Sequence, residues 1–475
     1  MNFLNQKILI LEFILKNQNQ LEKNEYKNNL KLNAMNNPMD ENNLSEISRR
    51  NFIKKSAIAA PIIAFPSTGF ATYLRNQPEQ KIRIGLIGCG GRGTRDALDC
   101  LSATPNVELV AMGDLFEDQL EKSLALLKKE AGDKVKVTAS TKFTGFDAYK
   151  GVLASNVDHV LLTTTPHYRP MHLEAAVEAG KHVFMEKPVA VDPVGVRSVI
   201  ASSEKAKKKG LTIVGGTQGR KDLTTQKAME IIHSGGIGEL IGGHCYRLGD
   251  AMRNWGPPER KPEWSDMEWQ NRNWYFYTWL CGDFIAEMHI HQLDAMNWAF
   301  NAPPVSCAGF GGRQTRTGPE IGKWGNVFDH FAVEYKFPGD ARINYMGTQI
   351  DNMGYYRTEW RVIGTKGNIL SGGGKIILDD GKKKTELERS GGNSSVRQHE
   401  LQQIAIRKGE ELNEGKQVAE STMTTIMGRM SCYTGKEVTW DWVMNKSRLD
   451  LSPAKYEFGD LTIRPISIPG FSPLI

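Results

Sequence analysis

The stretch Cys281–Trp298, "CGDFIAEMHIHQLDAMNW", brings acids and imidazoles close together in the chain. His291 has an ordinary pKa near neutrality, which suits it to take up and return a hydroxyl proton. Glu287, four residues earlier, is placed to orient that imidazole or balance its charge. His289 and Asp294 complete the cluster, although Asp294 can equally cap or pair within its own helix. The two histidines stand at i, i+2, which is not the spacing of a helical zinc site, so no metal is expected. A second reactive group is Lys187 in "FMEKPVAVD", just after an apolar run that reads as a strand. An ammonium at a strand's carboxyl end can polarise a hydroxyl or carbonyl and stabilise developing alkoxide charge.

These groups need a scaffold, and the sequence supplies one from Lys81. "KIRIGLIGCGGRGTRDALDCL" reads as a strand, a glycine-rich turn and a helix. Gly88, Gly90 and Gly93 occupy the three positions of G-x-G-x-x-G, with Cys89 and Arg92 in the same turn. That turn lets a pyrophosphate approach the backbone and rest on the positive helix N-terminus. A second strand, "VELVAMGD", ends at Asp114, where a carboxylate binds the hydroxyls of the adenosine ribose. An acid there repels a 2′-phosphate, so NAD(H) is the expected cofactor rather than NADP(H). Three further strands, "VKVTA", "VDHVLLTTTP" and "HVFME", alternate with helical stretches, which predicts a doubly wound parallel sheet over residues 80–217. Thr164, Thr165 and Pro166 lie at one carboxyl end and are expected to touch the cofactor.

The glycine turn, "TTPHYRPMH" after the fourth strand and "AGKHVFMEKPVAVD" after the fifth together resemble the Gfo/Idh/MocA family. Its types are sugar and cyclitol oxidoreductases such as glucose–fructose oxidoreductase and inositol dehydrogenase, and the resemblance covers roughly residues 80–445. It implies that His172, Glu186 and Lys187 border the cofactor, with Lys187 also catalytic. The family's catalytic motif is D-x-x-x-H; here the matching positions read Glu287 and His291, one methylene longer at the acid. The resemblance also implies an α+β C-terminal domain, 218–475, with a large, mostly antiparallel open sheet. A homo-oligomer, dimer or tetramer, is implied with it.

Between Arg253 and Trp279 lie Trp255, Trp264, Trp269, Trp274 and Trp279, half of the chain's tryptophans. Flat aromatic faces stack on sugar C–H faces while arginines bind hydroxyls, and the same rings also build cores and interfaces. Trp255, Arg272, Trp274, Arg220 and His289 are the expected substrate contacts, beside His291. Three reaction classes suit these residues. They are net NAD-dependent oxidation of a saccharide, glycoside or cyclitol, redox-neutral glycoside cleavage or epimerisation through a keto sugar, and non-catalytic saccharide binding.

The net charge of +6 over 475 residues is too mild to indicate nucleic acid. The six cysteines show no CxxC pair and are expected to be free and mostly buried. Residues 1–38 form no periodic pattern, and Met39 is a plausible start. Within 39–71, "SRRNFIKKSAIAAPIIAFPSTGFA" follows the layout of a twin-arginine signal. That predicts passage through the twin-arginine export machinery to the periplasm, where no NAD pool exists. A cofactor bound before export and recycled within each catalytic cycle is the expectation.

Overall fold

In the computed structural model, which describes residues 80–252, 259–317, 321–389 and 391–475, the apolar runs of the first half form parallel strands. The expected targeting segment and Trp255 lie outside the described residues. The chain runs β1 (Ile82–Ile87), α1 (Gly91–Ala103), β2 (Val107–Asp114), α2 (Glu117–Ala131), β3 (Lys142–Thr144) and α3 (Ala148–Ala154). It continues through β4 (His159–Leu162), α4 (Arg169–Glu178), β5 (His182–Met185), α5 (Pro193–Lys208) and β6 (Ile213–Gly215). The strand order is β3-β2-β1-β4-β5-β6, every pair parallel. Strand β4 is buried at every residue, as it must be when helices cover both faces.

The second half starts with α6 (Leu223–His233), β7 (Leu240–Gly249), α7 (Asp266–Arg272) and α8 (Ile290–Phe300). Seven strands follow: β8 (Ser306–Gly312), β9 (His330–Lys336), β10 (Arg342–Gln349), β11 (Arg357–Gly364), β12 (Gly367–Gly372), β13 (Lys375–Asp379) and β14 (Lys384–Glu386). Helices α9 (Ser394–Lys408) and α10 (Gly415–Thr434), strand β15 (Val438–Thr439) and helix α11 (Trp440–Asn445) precede an irregular tail. Among the described residues these strands join in the order β14-β13-β12-β11-β7-β10-β9-β8-β15. All neighbours are antiparallel except β7 and β10. Along β10 the buried Ile343 and Tyr345 alternate with exposed Arg342, Asn344 and Met346, so one face is covered and the other open. Helices α8 and α10 lie on the covered face, and α10 also reaches α5 and β6. Buried along most of its length, α10 ends where Gly435 takes the left-handed conformation (φ 71°). All six cysteines are free and buried. No helix among the described residues is long and apolar enough to cross a membrane.

Helix α9 returns to the parallel sheet, so the chain between 218 and 475 does not keep to one domain. It does so with a polar face: Gln398, His399, Gln402 and Gln403 are all fully buried. Gln402 donates to Val183 O of β5 (2.8 Å) and Gln403 to Cys100 O of α1 (2.8 Å). The ring nitrogens of His399 and of His159 on β4 have no hydrogen-bond partner. Burial holds the His159 imidazole down at about 3 and pushes His399 well down too. Both therefore stay neutral in the folded chain while the unfolded chain protonates below its ordinary value of 6.5. Their stabilising contribution is complete above that value and is lost as the pH falls beneath it, at about 1.4 kcal/mol per pH unit for each ring. Denaturant unfolding at successive pH values from about 7.5 to 5 should show stability declining, and His159→Leu should remove about one ring's share of the slope.

Candidate active site

The glycine turn joins three elements at closer range than side chains permit. Gly88 has φ +99°, and a Cβ there would lie 2.4 Å from the backbone nitrogen of Thr164 at the end of β4. A Cβ on Gly93 would meet Gly88 O at 2.0 Å. Gly90 caps α1 with no side-chain bond, and no acid occupies the first turn. The first N–H groups of α1 thus lack a capping acceptor, at the positive end of the helix dipole. That arrangement fits a dinucleotide pyrophosphate.

Asp114, at the end of β2, accepts from Cys89 N (2.5 Å) and Phe116 N (2.8 Å), which fix the direction of its carboxylate. The Cys89 thiol is buried against Gly113 O. Arg92, in the first turn of α1, pairs with Glu186 at 2.6 Å and Asp96 at 2.9 Å. Thr164 Oγ1 lies 3.3 Å from His172 Nδ1, and Thr165 Oγ1 is buried without a partner. Pro166 starts the helical turn that leads into α4. Burial raises the Asp114 carboxyl to about 6, against the two N–H groups that favour its charged form. Only the charged form accepts from both ribose hydroxyls, so NADH affinity should weaken as the pH falls through about 6. Fluorescence titration of NADH across that range checks it, and Asp114→Asn should abolish the dependence.

Lys187 follows β5 and precedes Pro188, with a cis bond between them. Its ammonium donates to Glu287 O (2.6 Å) and lies 3.5 Å from Glu287 Oε1. The strand end of the parallel sheet thereby meets the short helical turn Phe284–Glu287. Glu287 is buried and its other oxygen, Oε2, has no partner. Desolvation raises its carboxyl, with Lys187 and Arg169 pulling the other way. His291 is the second residue of α8 and remains partly exposed. Desolvation and then the Lys187 and Arg247 charges hold its imidazole well below the ordinary value. The positive N-terminus of α8 acts in the same sense. The ring is therefore neutral, and it departs from the near-neutral value expected from the sequence because burial and the neighbouring cations make its protonated form costly.

Several residues without a recognisable sequence signal hold this loop. Asp283, at φ +69°, accepts from Tyr433 Oη (2.5 Å), Phe328 N (2.9 Å) and Phe284 N (2.6 Å). Arg247 of β7 donates to Met288 O (3.1 Å). Arg429 of α10 donates to Gly282 O (2.9 Å) and Val191 O (2.7 Å). Arg169 donates to Pro188 O from a fully buried position.

Other expected site residues are placed elsewhere. His289 is only 1% exposed and its Nδ1 lies 2.6 Å from Tyr345 Oη, which keeps it in the core rather than towards a substrate. Arg220 forms a bidentate pair with Asp294, which also accepts from Gln417 and Ser421. Its charge is thus consumed in joining β6 to α8 and α10, and Asp294 pairs across the fold rather than within its helix. Arg272, at the end of α7, pairs with Asp118 and Glu268 and lies 3.9 Å over the Phe116 ring. That places it beside the carboxyl end of β2, away from Lys187, where it was expected to meet substrate. Trp274 is half-buried, edge-on to Tyr275, and Trp279 packs on His167. Among the described residues no cluster of ligating side chains could hold a metal ion.

A parallel dinucleotide-type sheet whose fifth strand meets a short helical turn, followed by a mostly antiparallel second sheet, is the fold of two-domain nucleotide-dependent oxidoreductases. Residues 82–215 match the oxidoreductase family with an NAD-binding Rossmann fold, and residues 225–370 match the GFO/IDH/MocA C-terminal domain. The chain belongs to the GFO/IDH/MocA family, and its first domain is that family's NAD-binding domain. The myo-inositol 2-dehydrogenase of Thermotoga maritima is 27% identical over 61% of this chain and 75% of its own. The inositol 2-dehydrogenase of Serratia proteamaculans is 28% identical over 47% of this chain, and a glycosyl hydrolase family 109 protein of Shewanella baltica 26% identical over 42%. The matched stretch spans 56% of the Serratia protein and 46% of the Shewanella protein. Among solved structures, an aldose-aldose oxidoreductase from Caulobacter crescentus superposes with a TM-score of 0.60 at 18% identity, covering 76% of this chain and 100% of that one.

Proposed function

We propose that the chain oxidises or reduces a secondary alcohol of a saccharide, glycoside or cyclitol with NAD(H). The observation that carries this reading is the contact of Lys187 with Glu287, which sets the carboxyl end of β5 against the short helical turn Phe284–Glu287 that precedes α8. Inositol 2-dehydrogenases among the relatives support the class of substrate. The bound nicotinamide supplies the hydride acceptor or donor. Lys187 donates to the substrate oxygen and stabilises it as the O–H proton leaves. A ring nitrogen of His291, neutral beforehand, takes that proton. Glu287, beside Lys187, balances the added charge. Arg429, Asp283 and Arg247 keep the two loops in register without touching the substrate. Lys187→Met should lower kcat by about 10²–10⁴-fold while NADH binding persists. Steady-state turnover and fluorescence titration separate the two effects, and near-normal turnover would refute the assignment.

The twin-arginine segment supports a further part of the reading: the folded protein is exported with NAD(H) in place and recycles it in the periplasm, as a homo-oligomer. Denaturing the purified protein and assaying the released nucleotide tests this, and a protein free of nucleotide would overturn it. The family 109 relative favours a second reading, in which a transient keto sugar permits redox-neutral cleavage. Product analysis distinguishes the two, because that route releases a sugar from a glycoside with no product changed in oxidation level.

A further inference from the structure

The carboxyl edge of β2 and β3 is covered by the irregular C-terminal tail. Phe458 stacks on Phe116, which follows β2, and packs on Phe146, which follows β3, with ring centroids 6.1 and 5.2 Å apart. Tyr456 lies against the Phe146 and Tyr168 rings, and its hydroxyl is 2.9 Å from His167 Nε2. Hydrogen bonds pin the tail on either side of these two residues. Leu451 N donates to Asp192 (2.8 Å), Gly459 O accepts from Met267 N (3.0 Å) and Leu461 O accepts from Gln270 (2.6 Å). The segment between the pins is therefore a strap laid over the edge of the parallel sheet.

Beneath and beside the strap are two cavities that share Leu115. The inner one, bordered by Asp114, Thr164 and His172, measures about 30 Å³, the space of roughly one water. The outer one measures about 510 Å³, and its walls include Phe116, Trp264, Arg272 and Phe458. The Arg272 guanidinium lies over both the Phe116 and the Trp264 rings and so ties them together as one wall. Asp118 and Glu268 pair with it, so its charge is not available to a phosphate.

We propose that Phe458 forms the outer wall of the adenosine-binding pocket, across the outer cavity from Trp264, and that the strap carrying it slows the release of the nucleotide. The proposal rests on the NAD(H) reading and deepens it. A ribose held by Asp114 would leave its base beside the carboxyl end of β2, where the rings of Phe116, Trp264 and Phe458 line the outer cavity. Those are the surfaces on which a purine stacks. Tyr456 and Phe458 lie beyond both regions that match the family.

The test is the rate at which NADH leaves the loaded full-length protein, followed by its fluorescence after a chase with excess NAD⁺. Phe458→Ala should speed release about tenfold, the scale of one lost base-stacking contact. Phe458→Tyr, which keeps the ring, should release at the wild-type rate. Phe471→Ala, at an exposed tail position that lines neither cavity, should also leave the rate unchanged. A Phe458→Ala protein that binds NADH and releases it within twofold of wild type overturns the proposal. Wild-type protein that binds no NADH overturns the dinucleotide reading itself, and this proposal with it.

Discussion

Arg429 lies within α10, almost wholly removed from solvent, with its planar guanidinium divided between two backbone carbonyls. One belongs to Val191, four residues after Lys187, and the other to Gly282, five residues before Glu287. A fork of fixed geometry between those loops sets how far apart the two halves of the candidate site can drift. Charge-assisted bonds to buried carbonyls are worth about 1.5–3 kcal/mol each, and losing them would strand both the cation and its acceptors. The Lys187–Glu287 contact is therefore a result of the way α10 is seated, and the seating spans both sheets.

The local parts of this design were readable in the sequence because their signals are short-range. The β1–Gly88–α1 turn, Asp114 at a strand end and the parallel alternation all follow from spacing over a few dozen residues. Lys187 at the end of β5 was legible for the same reason, whereas Glu287 and His291 were singled out by the family motif they resemble. What could not be read was which partner each polar group would find at long range. Arg220 and Asp294 are 74 residues apart, and nothing near either announces the other. Arg272 sat among tryptophans that suggest a sugar platform, yet α7 carries it to the adenosine edge of the sheet. His289 shares its segment with His291, but two positions earlier in a tight turn it faces the core against Tyr345. The tail has neither the period of a helix nor that of a strand, so its contacts with Phe116 and Phe146 had no pattern to give them away.

Helix α9 escaped a pattern-based reading for the opposite reason: its buried face is made of glutamine and histidine, where hydrophobic periodicity looks for leucine. The consequence concerns alignment. Apolar adhesion is indifferent to direction, and two greasy surfaces can slide by an ångström at little cost. Gln402 and Gln403 instead meet particular carbonyls of β5 and α1, and hydrogen bonds weaken steeply once bent or stretched. The helix is indexed to the parallel sheet much as a key is to its wards. Exchanging those glutamines for leucines would preserve bulk while erasing the index, leaving two carbonyls unanswered and the helix free to settle in more than one place.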